Sequence, residues 1–283
     1  MADHMTVVII ALVEGAALAA CIEGARAEAD QLMVVARDGS VRDAEGYEIG
    51  RSRRTDVPAR RQAAASIAET PLIGFLEDTV NPVRGWGDAA RSTLAQTGVG
   101  AAGGPVSIDR HLPSASRALA LTEYGRFRSF EGRDAVPAIP GCNFAFRREA
   151  LLAACSGEGL IDNEVFDQLR VSGLSLAWVP GMSATFCAAH AQGARLTTRF
   201  EHGRLYSGRR LSQSGPGARL AGAAKALALA PVLVARTLSQ ADVTELRSAP
   251  TVGQVALQHG AWAIGELAGA LFGPRPGGTA VWQ

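Results

Sequence analysis

Two adjacent acids end an apolar run in Leu72-Ile73-Gly74-Phe75-Leu76-Glu77-Asp78-Thr79, with Pro82 and Gly85-Trp86 close behind. Such a run reads as a buried strand that delivers Glu77 and Asp78 to its C-terminal edge, where ligands of open α/β sheets collect. Carboxylates side by side repel unless something positive lies between them, and a divalent cation carrying a phosphate answers that need. Solvated acids at a strand end are the plain alternative. Asp38-Gly39-Ser40 closes another apolar strand, and Asp38 there suits a ribose hydroxyl or a base edge. The same tripeptide is also ordinary turn chemistry.

A second group of candidates lies in the middle of the chain. Residues 140–151 read as a short strand turning into a helix, with Asn143 among apolar neighbours, either buried and bonded or facing a ligand. In 161–169, Val165, Phe166 and Leu169 share one helical face, and Asp162 and Glu164 stand in the first turn. Acids cap that end favourably, which is the simple reading; a general base presented there is the functional one. His190 follows a strand that ends at Val179-Pro180. In 199–210, Arg204 and Arg209 suit a diphosphate clamp, an anionic lipid or simply a solvated basic helix end, and Gly203 and Gly208 suit a mobile lid.

The elements that must position these residues alternate in type. Strands are expected over Thr6–Ala11, Gln31–Ala36, the run ending at Asp78, and Gly103–Ile108, with helices over Glu14–Glu28, Asp56–Ala68 and Trp86–Gln96. That order predicts an α/β fold with a mostly parallel sheet and helices on both faces. Val13-Glu14-Gly15 after the first strand does not make the glycine-rich turn of a dinucleotide site. Loops that could wall a site are expected in 110–140, with Glu123 to Phe127 as part of the wall.

Bulk properties narrow the classes. The formal net charge is +1, which argues against nucleic-acid binding, and hydrophobic residues at 47% suffice for a packed core. Lys225 is the only lysine. Cys21, Cys142, Cys155 and Cys187 are scattered and read as buried thiols of a reducing compartment. The N-terminus lacks a basic leader pattern, so a cytoplasmic protein is expected. From Leu220 the chain is rich in Ala, Leu and Val. Ala226–Ala235 falls short of the roughly 20 residues a bilayer span needs, and Val252–Phe272 is interrupted by Gln254, Gln258, His259 and Glu266. Both read as interfacial or tightly packed helices.

In this order the pieces resemble an inverting family-2 glycosyltransferase of the GT-A fold, over roughly residues 6–212, followed by a hydrophobic helical region in 213–283. The resemblance rests on Glu14 after the first strand, Asp38-Gly39-Ser40, Arg60 or Arg61 before a helix, and Glu77-Asp78 with Pro82 and Gly85-Trp86. It continues through Gly141, Asn143, Ala145, Arg147 and Arg148, then Glu164 or Asp162 before Leu169 and Gly173, Val179-Pro180 and His190. The chain departs from the usual pattern at Thr79, where an acid is common, at Glu77, at Arg37, and in having Asp162-Asn163-Glu164 near the place of a Glu-Asp pair. It looks most like a subgroup with a Glu-Asp-x motif and a hydrophobic tail carrying Trp262-Ala263-Ile264-Gly265-Glu266.

The resemblance implies transfer of a sugar from a nucleotide-sugar donor to a glycan or lipid-linked acceptor, in cell-surface polysaccharide or glycolipid assembly. Glu164 or Asp162 would be the base. Glu14, Asp38, Arg61, Glu77 and Asp78 would meet the donor, with Arg204 as a further clamp. Asn143 would line the acceptor side, and Asp78, Glu77 and His190 would hold Mg2+ or Mn2+. The tail would touch the inner face of a membrane, form a homodimer or cover the catalytic domain. A non-catalytic GT-A domain that binds a nucleotide sugar as an assembly subunit is the alternative.

Overall fold

The computed structural model describes residues 3–155, 157–188, 192–242 and 249–275. By backbone proximity the chain divides into two compact units, one of residues 1–107 and 130–188, the other of 108–129 and 189–282.

The first unit begins β1 (Met5–Ile10), α1 (Gly15–Arg26), β2 (Gln31–Val35), β3 (Ser40–Arg42), β4 (Glu48–Arg51), α2 (Val57–Ile67), β5 (Leu72–Glu77), β6 (Val80–Pro82) and α3 (Trp86–Leu94). It continues with β7 (Val99–Gly103) and β8 (Val106–Ile108), and after the excursion of 108–129 resumes at β9 (Asn143–Arg147), α5 (Arg148–Ala154), α6 (Asp162–Val171), β10 (Ser175–Trp178) and β11 (Ala184–Phe186). One eight-stranded sheet has the order β10-β7-β9-β5-β1-β2-β3-β4, and β6-β11-β8 form a small second sheet. β1 pairs parallel with β2 and β5, and β7 with β10, while β9 runs antiparallel between β5 and β7. With β3 also reversed, six of the eight strands point one way, so the expectation of a mostly parallel sheet holds.

Local chemistry explains the elements. All six residues of β1 are buried, as a strand covered on both faces requires. Asp56 caps α2 by accepting the Ala59 amide, with Pro58 in the first turn where its missing N–H is no loss. Trp86 opens α3 and is fully buried against Gly74, whose place in β5 tolerates no Cβ. The buried Glu28 carboxylate takes the Gly85 and Gly87 amides at the start of α3.

One expected element is corrected. The strand anticipated over Gly103–Ile108 is two strands in different sheets, β7 and β8, broken at Gly104-Pro105. A Cβ on Gly104 would overlap the Val179 and Met182 carbonyls, and Pro105 has no amide to continue a ladder. The hairpin strands β3 and β4 are short and were not anticipated.

The second unit is helical: α4 (Ser114–Tyr124), a 3-10 turn (Gly125–Phe130) continuing from it, α7 (Gln192–Arg210), α8 (Pro216–Gln240) and α9 (Ala249–Phe272). α9 packs against α4, α7 and α8. Small residues let α7 and α9 cross closely: Gly265 and Gly269 lie against the Phe200 and Arg204 carbonyls, and Gly203 against the Trp262 carbonyl. Gly203 and Gly208 are therefore packing residues of a helix, not hinges of the mobile lid expected from sequence. Glu123 is likewise no wall of a loop: it sits in α4, ion-paired with the buried Arg199. Arg199 in turn stacks on Trp262, whose indole N–H donates to Glu266, and Glu266 pairs with Arg210.

Candidate active site

The carboxyl edge of β5 gathers the candidate residues. Asp78 is fully buried, and its carboxylate accepts the amides of Leu12, Val13 and Glu14 at 2.7–3.2 Å, with both oxygens engaged. It thereby folds the β1–α1 turn over the end of β5. Glu14, the N-cap of α1, has φ 65° and ψ −162°, the only left-handed non-glycine among the described residues. α1 begins without a side-chain cap and without an acid in its first turn.

Arg60 and Arg61, consecutive on α2, are both buried and reach different places. Arg60 Nη1 donates to the Ala11 carbonyl at 2.8 Å and to the Ala36 carbonyl at 3.3 Å, where β1 and β2 end. Its Nε and Nη2 meet no hydrogen-bond partner, and burial holds its pKa below the ordinary guanidinium value, with Arg61 adding to the effect. Arg61 gathers the site: Nη2 bonds Glu77 Oε1 at 2.8 Å and the Gly141 carbonyl at 2.6 Å, and Nη1 bonds Asp162 Oδ1 at 2.9 Å. Its guanidinium lies 5.0 Å from the centre of the Phe144 ring. Gly141 leaves room for this arrangement, since a Cβ there would overlap Asp162 Oδ2 and displace that carboxylate.

The structure thus brings Arg61, Glu77 and Asp162 into one cluster and places Asp78 and Glu14 beside the same edge through the β1–α1 turn. Glu164 is half-buried in the first turn of α6 with Asp162. Asp38 stands at the end of β2 in a turn, where Ser40 donates to Oδ1 through both N–H and Oγ–H; these bonds lower its pKa, and Arg51 lies 3.6 Å from Oδ2. Arg204 belongs to the helical unit, and its Nε donates to the Gly273 carbonyl. His190 lies outside the described residues.

The reading of Asn143 as an acceptor contact is corrected. Asn143 is fully buried: Oδ1 accepts the Trp86 indole N–H, and Nδ2 donates to the Met182 carbonyl at 2.7 Å and the Gly104 carbonyl at 3.3 Å. It is an internal bracket, with its amide satisfied by the protein.

The metal set also fails to assemble among the described residues. Asp78 is saturated by amides, Glu77 is held by Arg61, and Thr79, at the position where an acid would complete the motif, is buried with Oγ1 unbonded. No group of three or more His, Cys, Asp or Glu side chains is arranged to hold a metal ion among these residues. Sequence reasoning did not single out Glu28, the buried cap of α3; an acid at the end of a helix, far from the motif it serves, gave no signal.

No protein-family model matches the sequence, and no curated protein matches it. Solved structures do. The mannosyltransferase PcManGT from Pyrobaculum calidifontis, in complex with GDP-Man and Mn2+, superposes with a TM-score of 0.56 at 16% identity, over 95% of this chain and 87% of that one. Glucosyl-3-phosphoglycerate synthase from Mycobacterium tuberculosis, in complex with phosphoglyceric acid, gives 0.43 at 16% identity over 66% and 73%. The fold of this chain is the α/β GT-A fold of glycosyltransferases, with helices following it.

Proposed function

We propose that the chain is a glycosyltransferase that moves a sugar from a nucleotide-sugar donor to an acceptor hydroxyl with inversion. The observation that carries this reading is the Glu77–Arg61–Asp162 cluster at the carboxyl edge of β5, beside a turn pinned by Asp78, on a GT-A sheet. Ligands of open α/β sheets bind at that edge. Asp38 and the β1–α1 turn, with Glu14, frame the nucleotide. Arg60 holds a buried positive charge behind that turn, and the uncapped first turn of α1 favours an anion.

In the reaction, the acceptor oxygen forms a bond to the anomeric carbon while the bond from that carbon to the diphosphate breaks on the opposite face. The acceptor proton passes to a carboxylate. Asp162 suits that role: Arg61 fixes Oδ1 by a hydrogen bond, which leaves Oδ2 to accept. Glu164, in the same first turn, is the second candidate. The described residues do not fit a cage for Mg2+ or Mn2+. Assembly of cell-surface polysaccharide or glycolipid, at the cytoplasmic side, is the setting we propose.

A second reading has its own support. The sealed Asp78, Thr79 and the internal Asn143 suit a non-catalytic GT-A domain that binds a nucleotide sugar as an assembly subunit. A thermal-shift screen of nucleoside diphosphates and their sugars, with and without Mn2+, followed by donor turnover, separates the two. The enzyme reading expects stabilisation by one donor and turnover that falls about 10²-fold or more in Asp162→Asn with folding intact. Donor binding without turnover supports the second reading, and no binding of any nucleotide overturns both.

A further inference from the structure

The two units carry opposite charge. The sheet unit has 14 arginines and 21 acids, a formal −7, whereas the helical unit has 14 basic residues against 6 acids, a formal +8. The near-neutral whole conceals this division. Within the helical unit, α8 contains Arg219, Lys225 and Arg236 and no acid at all.

α8 is also amphipathic in the reverse of the usual sense. Its buried positions are the small ones, Gly222, Ala223 and Ala226, with Thr237, and these serve the contact with α9. Its outward face carries Leu220, Ala224, Leu227, Pro231, Val232 and Ala235, with Leu220 63%, Leu227 72% and Val232 61% exposed. Only 17% of its most apolar stretch is buried. Leu257, Ile264 and Leu271 of α9, seven residues apart, are exposed as well. A continuous apolar face left in water is uncommon in a monomer and marks a surface that meets something.

We infer that the outward face of α8 lies in the plane of an anionic lipid bilayer, with Leu220, Leu227 and Val232 in the headgroup–acyl boundary and Lys225 and Arg236 on acidic headgroups. Charge complementarity selects this occupant. A second copy would bring the same positive helix against itself, with no acid on α8 to answer it, whereas an anionic leaflet offers the opposite sign. Although α8 is long and apolar enough to cross a bilayer, three features favour lying over spanning. It packs on α9, Lys225 and Arg236 are exposed on it, and Pro231 removes the backbone bond to the Leu227 carbonyl.

The test is vesicle co-sedimentation of the full chain, with phosphatidylcholine alone and with about one third phosphatidylglycerol, at low and high salt. Binding is expected only to the anionic vesicles, weakening at high salt, with a loss of roughly fivefold for each of Lys225→Gln and Arg236→Gln. Leu227→Glu with Val232→Glu should abolish it while the circular-dichroism melt and donor thermal shift stay unchanged, since both positions are exposed. The salt and lipid dependence of the unaltered chain needs no variant. Equal binding to neutral vesicles, binding that survives the double variant, or resistance to a high-salt and alkaline wash would overturn in-plane docking. A dimer in light scattering that Leu227→Glu dissociates, without vesicle binding, would assign the face to a second copy and equally overturn it. Donor turnover in solution does not enter, so failure here leaves the glycosyltransferase reading standing.

Discussion

Asp78 Oδ2 accepts the Glu14 amide at 2.7 Å, across 64 residues of chain, and Glu14 is held in a backbone conformation that glycine alone adopts freely. The strain, of order 1–3 kcal/mol, is balanced by amide bonds to a buried carboxylate. Asp78→Asn replaces one oxygen with a donor facing another donor, and a loss of about 2–4 kcal/mol in urea denaturation is expected. Glu14→Gly should gain about 1 kcal/mol and recover part of the Asp78→Asn loss. A Glu14→Gly variant that is less stable than the parent would remove strain from this account.

Arg61→Lys should disable the site without unfolding the protein. An ammonium cannot reach Glu77, Gly141 and Asp162 together, because it lacks the planar fork. Two carboxylates then stand close with one point charge between them. Asp162 is partly open to solvent, which limits the stability loss to about 1–3 kcal/mol. Donor turnover should fall at least 10²-fold. Turnover near the parental rate in Arg61→Lys would show that Asp162 needs no orientation.

Asn143→Ala should act on stability and not on acceptor affinity. The truncation strips partners from the Trp86 indole and the Met182 carbonyl, both internal, at a cost of about 2–4 kcal/mol. Chemical denaturation reads this directly. A raised KM for acceptor with unchanged stability would return Asn143 to the acceptor side.

Acid should weaken the helical unit through buried histidine. His259 bonds Thr237 at 2.8 Å, and burial, with Arg199 and Arg236 nearby, pushes its pKa down to about 4. The unfolded state, near the ordinary 6.5, binds the proton first, so stability is full above about pH 6.5 and declines toward pH 4. The loss between pH 7 and 5 is on the order of 2 kcal/mol. Melting curves against pH should flatten in His259→Gln, and an unchanged slope would acquit this residue.

Much of the sheet was legible because β1, β2 and β5 are continuous apolar runs, and apolar continuity is what burial on both faces demands. β7 was not, because Val99-Gly100-Ala101-Ala102-Gly103 is made of small residues whose burial comes from what packs on them. The acids at the edge of β5 were visible as types, but not their loyalties. Asp78 turns inward to three amides and Glu77 turns to Arg61, and only the folded backbone decides which. Asn143 shows the limit from the other side: a polar residue among apolar neighbours announces that it is bonded, not to what. Gly203 and Gly208 read as hinges because sequence gives a glycine's freedom, whereas its smallness matters only once a second helix lies against it.

The reversed strand β9 has a consequence for the order in which the protein becomes competent. Its ladder needs β5 on one side and β7 on the other, and it then sets Cys142 beside Glu77 and leads into the segment that delivers Asp162. Arg61 and Asp162 are 101 residues apart in the chain. During synthesis the first half of the sheet can form with Arg61 already buried beside Glu77, yet the cluster stays incomplete until residues past 162 have left the ribosome and β9 has slotted into its gap. A nascent or truncated chain that ends before that point holds Arg61 and Glu77 without Asp162, so the cluster is completed late.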